Sequence, residues 1–431
     1  MLIHTVSAGE DLAAVAAQYG LTAAYLERLN HLPNPGNLVP GQTLLVTSPA
    51  IMHTTAPGEN LYTIAALYAV TTTQLLRNNP FLTQREIRTG DRLIIAYEGQ
   101  PQNAAILLGY TYPTISPGPL REMLPYLTYL SIFTTRFLAD GALVLPNDAP
   151  LLGLARSMGT GPLLHLSNVD ETGRFDTALA HTILTDLTIQ ETLLDQLLNV
   201  LSAKAYVGVD VDFEFLMAED TDRFVFFLRR LHDLLNKNGK ILLADLAPKS
   251  YDDQSGLLVE GLDYQAIGAA VDYVFLMTYE WGYAGGPPMA VAPLPQIQEV
   301  LRYASRSIAK EKLLLGLPWY GYRWSVPYAP QNPPAQSLSL DDAISLAAQH
   351  HASISFDLEA KVPYYDFEEA GETSLVFFDD VQSMSLKIHQ TKLFSLAGAG
   401  IWNITRPWLQ GFALLNQQLA LLKTPIPTQR L

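Results

Sequence analysis

Between Val207 and Glu214 the chain alternates by parity, with Val209, Val211 and Phe213 on one side and Asp210, Asp212 and Glu214 on the other. Residues two apart share one face of a β-strand, so this segment predicts a strand with one packed face and a row of three carboxylates on the other. An exposed edge strand would use those acids to resist strand-on-strand aggregation. A central strand would instead deliver them to a site. The flanks Ala205-Tyr206-Val207-Gly208 and Phe215-Leu216-Met217 are too apolar for an edge and favour the central strand.

Seven other apolar runs have strand length, at 105–110, 127–133, 163–167, 241–246, 273–279, 313–319 and 400–404. Together with 206–214 they make eight. Amphipathic stretches such as 190–203, 220–235 and 294–307 lie between most of them. Eight strands alternating with helices over roughly 330 residues predict an α/β fold, a (β/α)8 barrel, in which the chemistry lies where the strands end on the carboxyl side. Those ends carry Ser167-Asn168, the acids at 210, 212 and 214, Tyr279-Glu280, Trp319-Tyr320 and Trp402-Asn403. Carboxylates for proton transfer and flat rings for the apolar faces of pyranoses are what a sugar site needs. The gap from Arg323 to Leu396 is too long for one crossover helix. Its helical pattern at 340–350 and strand-like runs at 353–356, 362–365 and 375–378 predict a small α+β insertion after the seventh strand, at about 325–395, forming one wall of a groove.

The first hundred or so residues follow a different pattern, one that repeats after 49 residues: His4-Thr5 falls on His53-Thr54, Gly9-Glu10 on Gly58-Glu59, Tyr19 on Tyr68, Asn30 on Asn79 and Gly41 on Gly90. A fixed-period duplication signals two copies of one module. Each copy predicts strand, two helices, strand. In the first, Leu12, Val15, Ala16 and Tyr19 have helical spacing, Gly20 ends that helix, and Thr22 caps the next. A Pro/Gly turn from Pro33 to Gly36 then leads to a closing strand at 43–46. The segments are 1–48, 50–98 and, after the polar linker Gln100-Pro101-Gln102-Asn103, 102–431. Modules of about fifty residues are near the limit of independent stability and suit binding better than catalysis.

A formal net charge of −15 argues against nucleic acid or anionic membrane as the partner, since both require a basic patch. No apolar run is long enough to insert into a membrane. The start Met1-Leu2-Ile3-His4-Thr5-Val6 lacks the basic and apolar regions of a classical signal peptide. With no cysteine, disulfides, thiolate metal sites and a cysteine nucleophile are excluded. The nine histidines are scattered, and the adjacent pair His350-His351 diverges at a helix end, so no metal is indicated. No glycine-rich phosphate loop follows a strand, so no cofactor is indicated either.

The pattern His-Thr-Val-x-x-Gly-Glu-x-Leu, a Tyr-Gly turn, Leu-x-x-x-Asn and Pro-Gly-Gln-x-Leu resembles the LysM domain. The second copy departs from it at Thr55, Ala69 and Thr89-Gly90-Asp91. The resemblance implies binding to N-acetylglucosamine-containing glycans of peptidoglycan or chitin, in a groove between residues 8–11 and 30–32 of the first copy and 57–60 and 79–82 of the second. Gly9, Asn30, Gly58 and Asn79 are the implied contacts. The alternative is that His4, His53 and the two asparagines are ordinary turn and capping residues.

The remainder resembles glycoside hydrolase family 18, whose signature Asp-Gly-x-Asp-x-Asp-x-Glu is matched by Gly208, Asp210, Asp212 and Glu214, with Val207 in place of the first Asp. Its Met-x-Tyr-Asp strand is present as Met277-Thr278-Tyr279-Glu280, its terminal tryptophan as Trp402, and its insertion strand as 375–380. The preceding LysM copies, together with Trp281-Gly282-Tyr283, Gly286-Pro287-Pro288-Met289-Ala290 and Leu317-Pro318-Trp319-Tyr320-Gly321-Tyr322, narrow the resemblance to members from sporulating bacteria that degrade spore cortex.

The resemblance implies a retaining reaction in which the substrate's own acetamide replaces the usual second carboxylate. Glu214 protonates the glycosidic oxygen, Asp212 orients the acetamide and stabilises the oxazolinium, Asp210 completes the acid row, and Tyr279 hydrogen-bonds the acetamide oxygen. Glu214 then acts as base on water. An acid at neutral pH needs a raised pKa, for which the like charges of Asp212 and Asp210 are a sufficient cause. Val207, on the packed face, is expected to be tolerated in place of Asp. Glu280 carries one methylene more than the family Asp, a displacement of roughly an ångström. It would reach another sugar hydroxyl, approach Glu214, or stand behind the residues that touch the sugar. Trp402, Met277 and Glu280 are implied substrate contacts. Asn168, Trp319, Tyr320 and Arg323 are further candidates, each with rim packing or structural hydrogen bonding as the alternative.

The implied function is a β-N-acetylglucosaminidase directed at peptidoglycan of spore cortex, acting as a monomer in the cortex or coat. A chitinase and a non-catalytic glycan-binding coat protein are the alternatives. Intact Asp212, Glu214 and Tyr279 speak against the last.

Overall fold

In the computed structural model, which describes residues 1–423 apart from 33, 100 and 102, each N-terminal repeat folds as strand, helix, helix, strand. The first comprises β1 (Leu2–Thr5), α1 (Leu12–Gln18), α2 (Ala23–Asn30) and β2 (Thr43–Val46). The second comprises β3 (Pro49–Thr54), α3 (Leu61–Leu67), α4 (Thr72–Asn78) and β4 (Arg92–Tyr97). In each copy the two strands pair antiparallel. Pro33 of the predicted turn, Gln100 and Gln102 of the linker, and 424–431 at the end of the third segment lie outside the described residues.

Local chemistry fixes these helices. Asp11 and Thr22 accept from the backbone N–H groups of Ala14 and Tyr25, and Asn60 forms a reciprocal capping pair with Thr63. Past α1, Gly20 takes a left-handed φ of 66°; its counterpart Ala69 takes 53°, a conformation that costs an L-residue about 1–2 kcal/mol. The repeated His, Glu and Tyr form one network in each copy: the ring of His4 bridges Tyr19 and Glu10, and that of His53 bridges Tyr68 and Glu59.

Eight parallel strands form the barrel: β5 (Ala104–Thr111), β6 (Tyr129–Phe137), β8 (Gly161–Ser167), β9 (Gly208–Asp212), β10 (Ile241–Leu246), β11 (Tyr273–Leu276), β12 (Leu313–Pro318) and β18 (Gly398–Trp402). Each pairs with the next, and β18 pairs with β5, which closes the ring. The short β7 (Leu143–Val144) and β19 (Ala420–Leu421) extend the sheet from β6 and β5. The eight predicted strands are these eight. After β12 comes the expected insertion, an antiparallel sheet of β13 (Gly321–Val326), β14 (Gln336–Leu338), β15 (Ser355–Asp357), β16 (Val362–Glu369) and β17 (Glu372–Phe377) with a helix at Leu340–Gln349.

The first repeat is docked on the barrel. Its Leu29, Val39 and Leu45 belong to the barrel's core cluster rather than to the repeat's own. Thr43 Oγ1 donates to Asp380 Oδ2 at 2.7 Å, and Gln410 Nε2 donates to Asn30 Oδ1 at 2.9 Å. Gly41 lies so close to the insertion that a Cβ would fall 1.9 Å from the Ile354 carbonyl oxygen. The second repeat is held through Arg77, which donates to the carbonyls of Pro125 and Leu421, and through Asn78, which accepts from Asn416.

Candidate active site

The acid row lies inside the barrel. Asp210 and Asp212 are buried on β9, flanked in register by His165 and Ser167 of β8, and Glu214 follows where the strand gives way to a loop. Val209, Val211 and Phe213 fill the opposite face, with the Phe213 ring stacked on Phe224 and Phe227. Val207 is half-buried against the core, away from the acids. The strand is central, so the edge-strand alternative fails.

The carboxyl ends of the barrel strands open into a cleft of about 580 Å³, lined by Asp212, Glu214, Asp245, Met277, Tyr279, Glu280, Tyr320 and Trp402. Trp402 packs among Tyr110, Tyr112 and Phe133, with ring centroids 5.3–6.1 Å away, and remains half-exposed as an apolar floor. Tyr112, Phe133, Ser337, Thr405 and Arg406 also line the cleft, with Ser337 contributed by the insertion.

The carboxyl groups differ in what holds them. Ser131 Oγ donates to Asp210 Oδ2 at 2.6 Å, Asp210 Oδ1 is buried without a hydrogen-bond partner, and Tyr110 Oη donates to Asp245 Oδ1 at 2.7 Å. Asp212 Oδ1 is buried without a hydrogen-bond partner, and its Oδ2 lies 3.6 Å from His165 Nε2, itself buried and unpartnered. Burial is the first cause of every shift in this set, because it disfavours the charged form. Asp210 is raised well above the carboxylate range by burial and then by the charge of Asp245. Asp212 is raised well above it by burial and then by Glu214, Asp245 and Asp210. Asp245 is raised to about 7 by burial despite the hydrogen bond from Tyr110, and burial lowers His165 to about 4.

Glu214 rises to about 7 through burial, followed by the charge of Glu280. This corrects the expectation that Asp212 and Asp210 lift it. A site that admits little solvent supplies most of the shift, and the nearest effective charge comes from the strand end after β11. Glu280 accepts from Tyr320 and, at 3.0 Å, from Tyr322. Of the three expectations for Glu280, the structure therefore bears on the approach to Glu214. Its backbone is left-handed, at φ 66°, as is that of Phe215 beside Glu214, at 57°. Strained residues of this kind gather at functional sites.

Several sequence candidates sit elsewhere. Asn168 is fully buried and clamps the Glu214 backbone, accepting from its N–H at 2.9 Å and donating to its carbonyl at 3.0 Å. It positions the acid and has no access to a sugar. Trp319 borders the cleft, but its ring is packed edge-on against Trp408 and Phe412. Arg323 is spent within the insertion sheet on Ser374, Glu369 and the face of Phe367, outside the cleft, whose arginine is Arg406. Gly9 and Gly58 lie in exposed turns with positive φ. Asn30 and Asn79 are buried, and their amides bond to Leu26, Leu45 and Gln410 and to Leu75 and Ile94. Buried and bonded in this way, the two asparagines hold their modules together.

Residues that the sequence reading missed are Tyr110, Ser131, His165, Asp245, Tyr322 and Arg406. Asp245 had a visible signal, since it is the one charge in the apolar run Ile241-Leu242-Leu243-Ala244-Asp245-Leu246. The others are separated in sequence and meet only when the barrel closes.

An acid row on a central barrel strand, with a tyrosine and a tryptophan at neighbouring strand ends, makes a glycosidase-type site, and the chain belongs to glycosyl hydrolases family 18, whose model matches residues 168–406. LysM domains match residues 4–47 and 53–96. Along nearly its whole length the chain is similar to the cortical fragment-lytic enzyme of Bacillus subtilis strain 168, at 35% identity covering 98% of this chain and 99% of the relative. It is likewise similar, at 31% identity and 100% coverage of the relative, to a putative sporulation-specific glycosylase of the same organism. The crystal structure of the Bacillus cereus spore cortex-lytic enzyme SleL superimposes with a TM-score of 0.83 at 31% identity, covering 98% of each chain.

Proposed function

We propose that this family 18 hydrolase is a β-N-acetylglucosaminidase that cleaves the glycan of spore-cortex peptidoglycan or its fragments, with retention and with help from the substrate's acetamide. The observation that carries the reading is Glu214, a cleft carboxyl whose proton is held to about pH 7. A group that keeps its proton at working pH can give it to a leaving glycosidic oxygen and then take one back from water.

Asp212 supports the acetamide part of the reading. Its Oδ1 lacks a partner inside the protein, and a substrate amide N–H entering the cleft would satisfy it. Tyr279 stays protonated, raised by burial and by surrounding carboxylates, and its hydroxyl is suited to donate to the acetamide oxygen. Trp402 offers a ring face to the sugar, Met277 and Glu280 line the same cleft, and Tyr320 fixes Glu280. Asp210 stands behind Asp212. The LysM repeats are assigned to retention on the glycan polymer, with the chain acting as a monomer in the spore.

The test is mass spectrometry of products from defined cortex fragments. New reducing ends of N-acetylglucosamine are expected. Reducing ends of muramic residues would overturn the bond assignment, and turnover confined to chitin oligomers would overturn the substrate.

A further inference from the structure

Four carboxyl side chains line the cleft, Asp212, Glu214, Asp245 and Glu280, and one cation, Arg406. Neutralising the acids would account for an arginine there, but the structure does not use it so. Glu280 takes its hydrogen bonds from Tyr320 and Tyr322, Asp245 takes one from Tyr110, and Asp212 faces His165. No carboxylate among the described residues is in ion-pair contact with Arg406, whose one side-chain hydrogen bond runs from Nη1 to Ser337 Oγ at 3.1 Å. The residue is exposed, and a guanidinium has five N–H donors, so most of them are open to a ligand in the cleft.

The segment that carries Arg406 is fixed in place. Ile404 N–H donates to the Tyr110 carbonyl at 2.9 Å, Tyr112 N–H donates to Thr405 Oγ1 at 2.9 Å, and Thr405 N–H donates to Asn403 Oδ1 at 3.1 Å. These bonds tie the chain beyond β18 to the end of β5, while Ser337 on β14 steers the guanidinium from the insertion. Donors held in this way lose little freedom when a ligand arrives. The partner such a fork suits is a carboxylate, which accepts two parallel N–H groups. A glycan of N-acetylglucosamine alone has no such group. A muramic residue has one, at the end of the substituent on its O3.

We propose that Arg406 is a specificity-determining residue, binding the carboxylate on the O3 substituent of a muramic residue next to the sugar over Trp402. The proposal rests on reading the cleft as a peptidoglycan site, and it names the side chain that tells that substrate from chitin.

The test compares kcat/KM on muramic-containing fragments with a free carboxylate, on the same fragments with that carboxylate amidated, and on N-acetylglucosamine oligomers. Wild type is expected to favour the free carboxylate over its amide by about tenfold, because a charge-assisted pair at an exposed position contributes at the low end of its range. Arg406→Ala is expected to lose about tenfold on the free carboxylate and at most about twofold on the other two substrates, so that the preference disappears. Arg406→Lys keeps the charge without the fork and is expected to keep part of the preference; it carries the test if the alanine variant does not fold. Running the free-carboxylate arm with the substituent ending at its lactyl group, and again with a peptide attached, shows which carboxylate is read. A preference that Arg406→Ala removes supports the proposal in either arm.

Turnover of N-acetylglucosamine oligomers alone by wild type would overturn the peptidoglycan reading and this proposal with it. Turnover of muramic fragments with no preference for the free carboxylate, or with a preference that Arg406→Ala leaves intact, would overturn this proposal alone.

Discussion

Asn30 in the first repeat and Asp210 with Asp212 in the barrel are almost equally buried, at 2%, 0% and 4% exposure, but their surroundings are opposite. Each polar atom of the Asn30 amide is bonded to the backbone of its own module, and its oxygen also takes a bond from Gln410. The two aspartates each keep an oxygen with no partner, and the neighbouring His165 keeps its Nε2 without one. A buried polar group without a partner costs about 1–3 kcal/mol, more if charged, so folding alone would remove it. The comparison separates polar residues that hold a fold from those kept ready for a ligand, and burial by itself does not make that distinction.

The largest effect that would break the contrast is at Glu214. Glu214→Gln should lower kcat by about a thousandfold, or about 4 kcal/mol, with no fall in Tm. The opposite pattern is expected at Asn30. Asn30→Ala leaves the Leu45 N–H and the Gln410 amide without their acceptor, and thermal or denaturant unfolding should show a loss of about 3 kcal/mol, while the folded fraction keeps its kcat.

A third effect is the pH dependence. Glu214, held to about 7, must be protonated to act, so kcat should be level below that pH and fall about tenfold per unit above it. Stability has the same sign. The folded protein keeps protons on Glu214 and Asp245 that the unfolded chain releases near pH 4, so this contribution is present in acid and is lost as pH rises from about 4 through about 7. Tm measured between pH 5 and pH 8 should therefore fall, and the fall should shrink in Asp245→Asn.

Smaller effects sharpen the comparison at its margins. Ala69→Gly should raise stability by up to about 1 kcal/mol, since glycine accepts the left-handed backbone that its counterpart Gly20 already uses. Arg323→Ala should change cortex-fragment kcat by less than about twofold, because its ion pair with Glu369 is half-exposed and lies outside the cleft.

The period-2 pattern at Val207 to Glu214 was enough to place the acid row, because alternation on a strand has a single geometric meaning. The 49-residue duplication was enough for the two modules, and the apolar runs for the eight barrel strands and the insertion. What the sequence hid are relations between strands. Asp245 meets Asp210 because β10 lies beside β9, and Gln410 reaches Asn30 across 380 positions with no periodicity to announce it. The cause of the Glu214 shift was misread for the same reason. Sequence neighbours were weighed as charges, whereas burial by the closed barrel, followed by Glu280 from another strand, dominates. Asn30 and Asn79, matched by motif, looked like contacts until the structure placed them in the interior, bonded to the backbone of their own modules.

The most direct test is to measure reducing-end release from cortex fragments by wild type and Glu214→Gln at pH 6, with Tm recorded for both. The account predicts release by wild type, about a thousandfold less by the variant, and a Tm at least as high in the variant. Comparable release by both, or a loss of release that tracks a lower Tm, would contradict the assignment of Glu214 as the acid this barrel is built around.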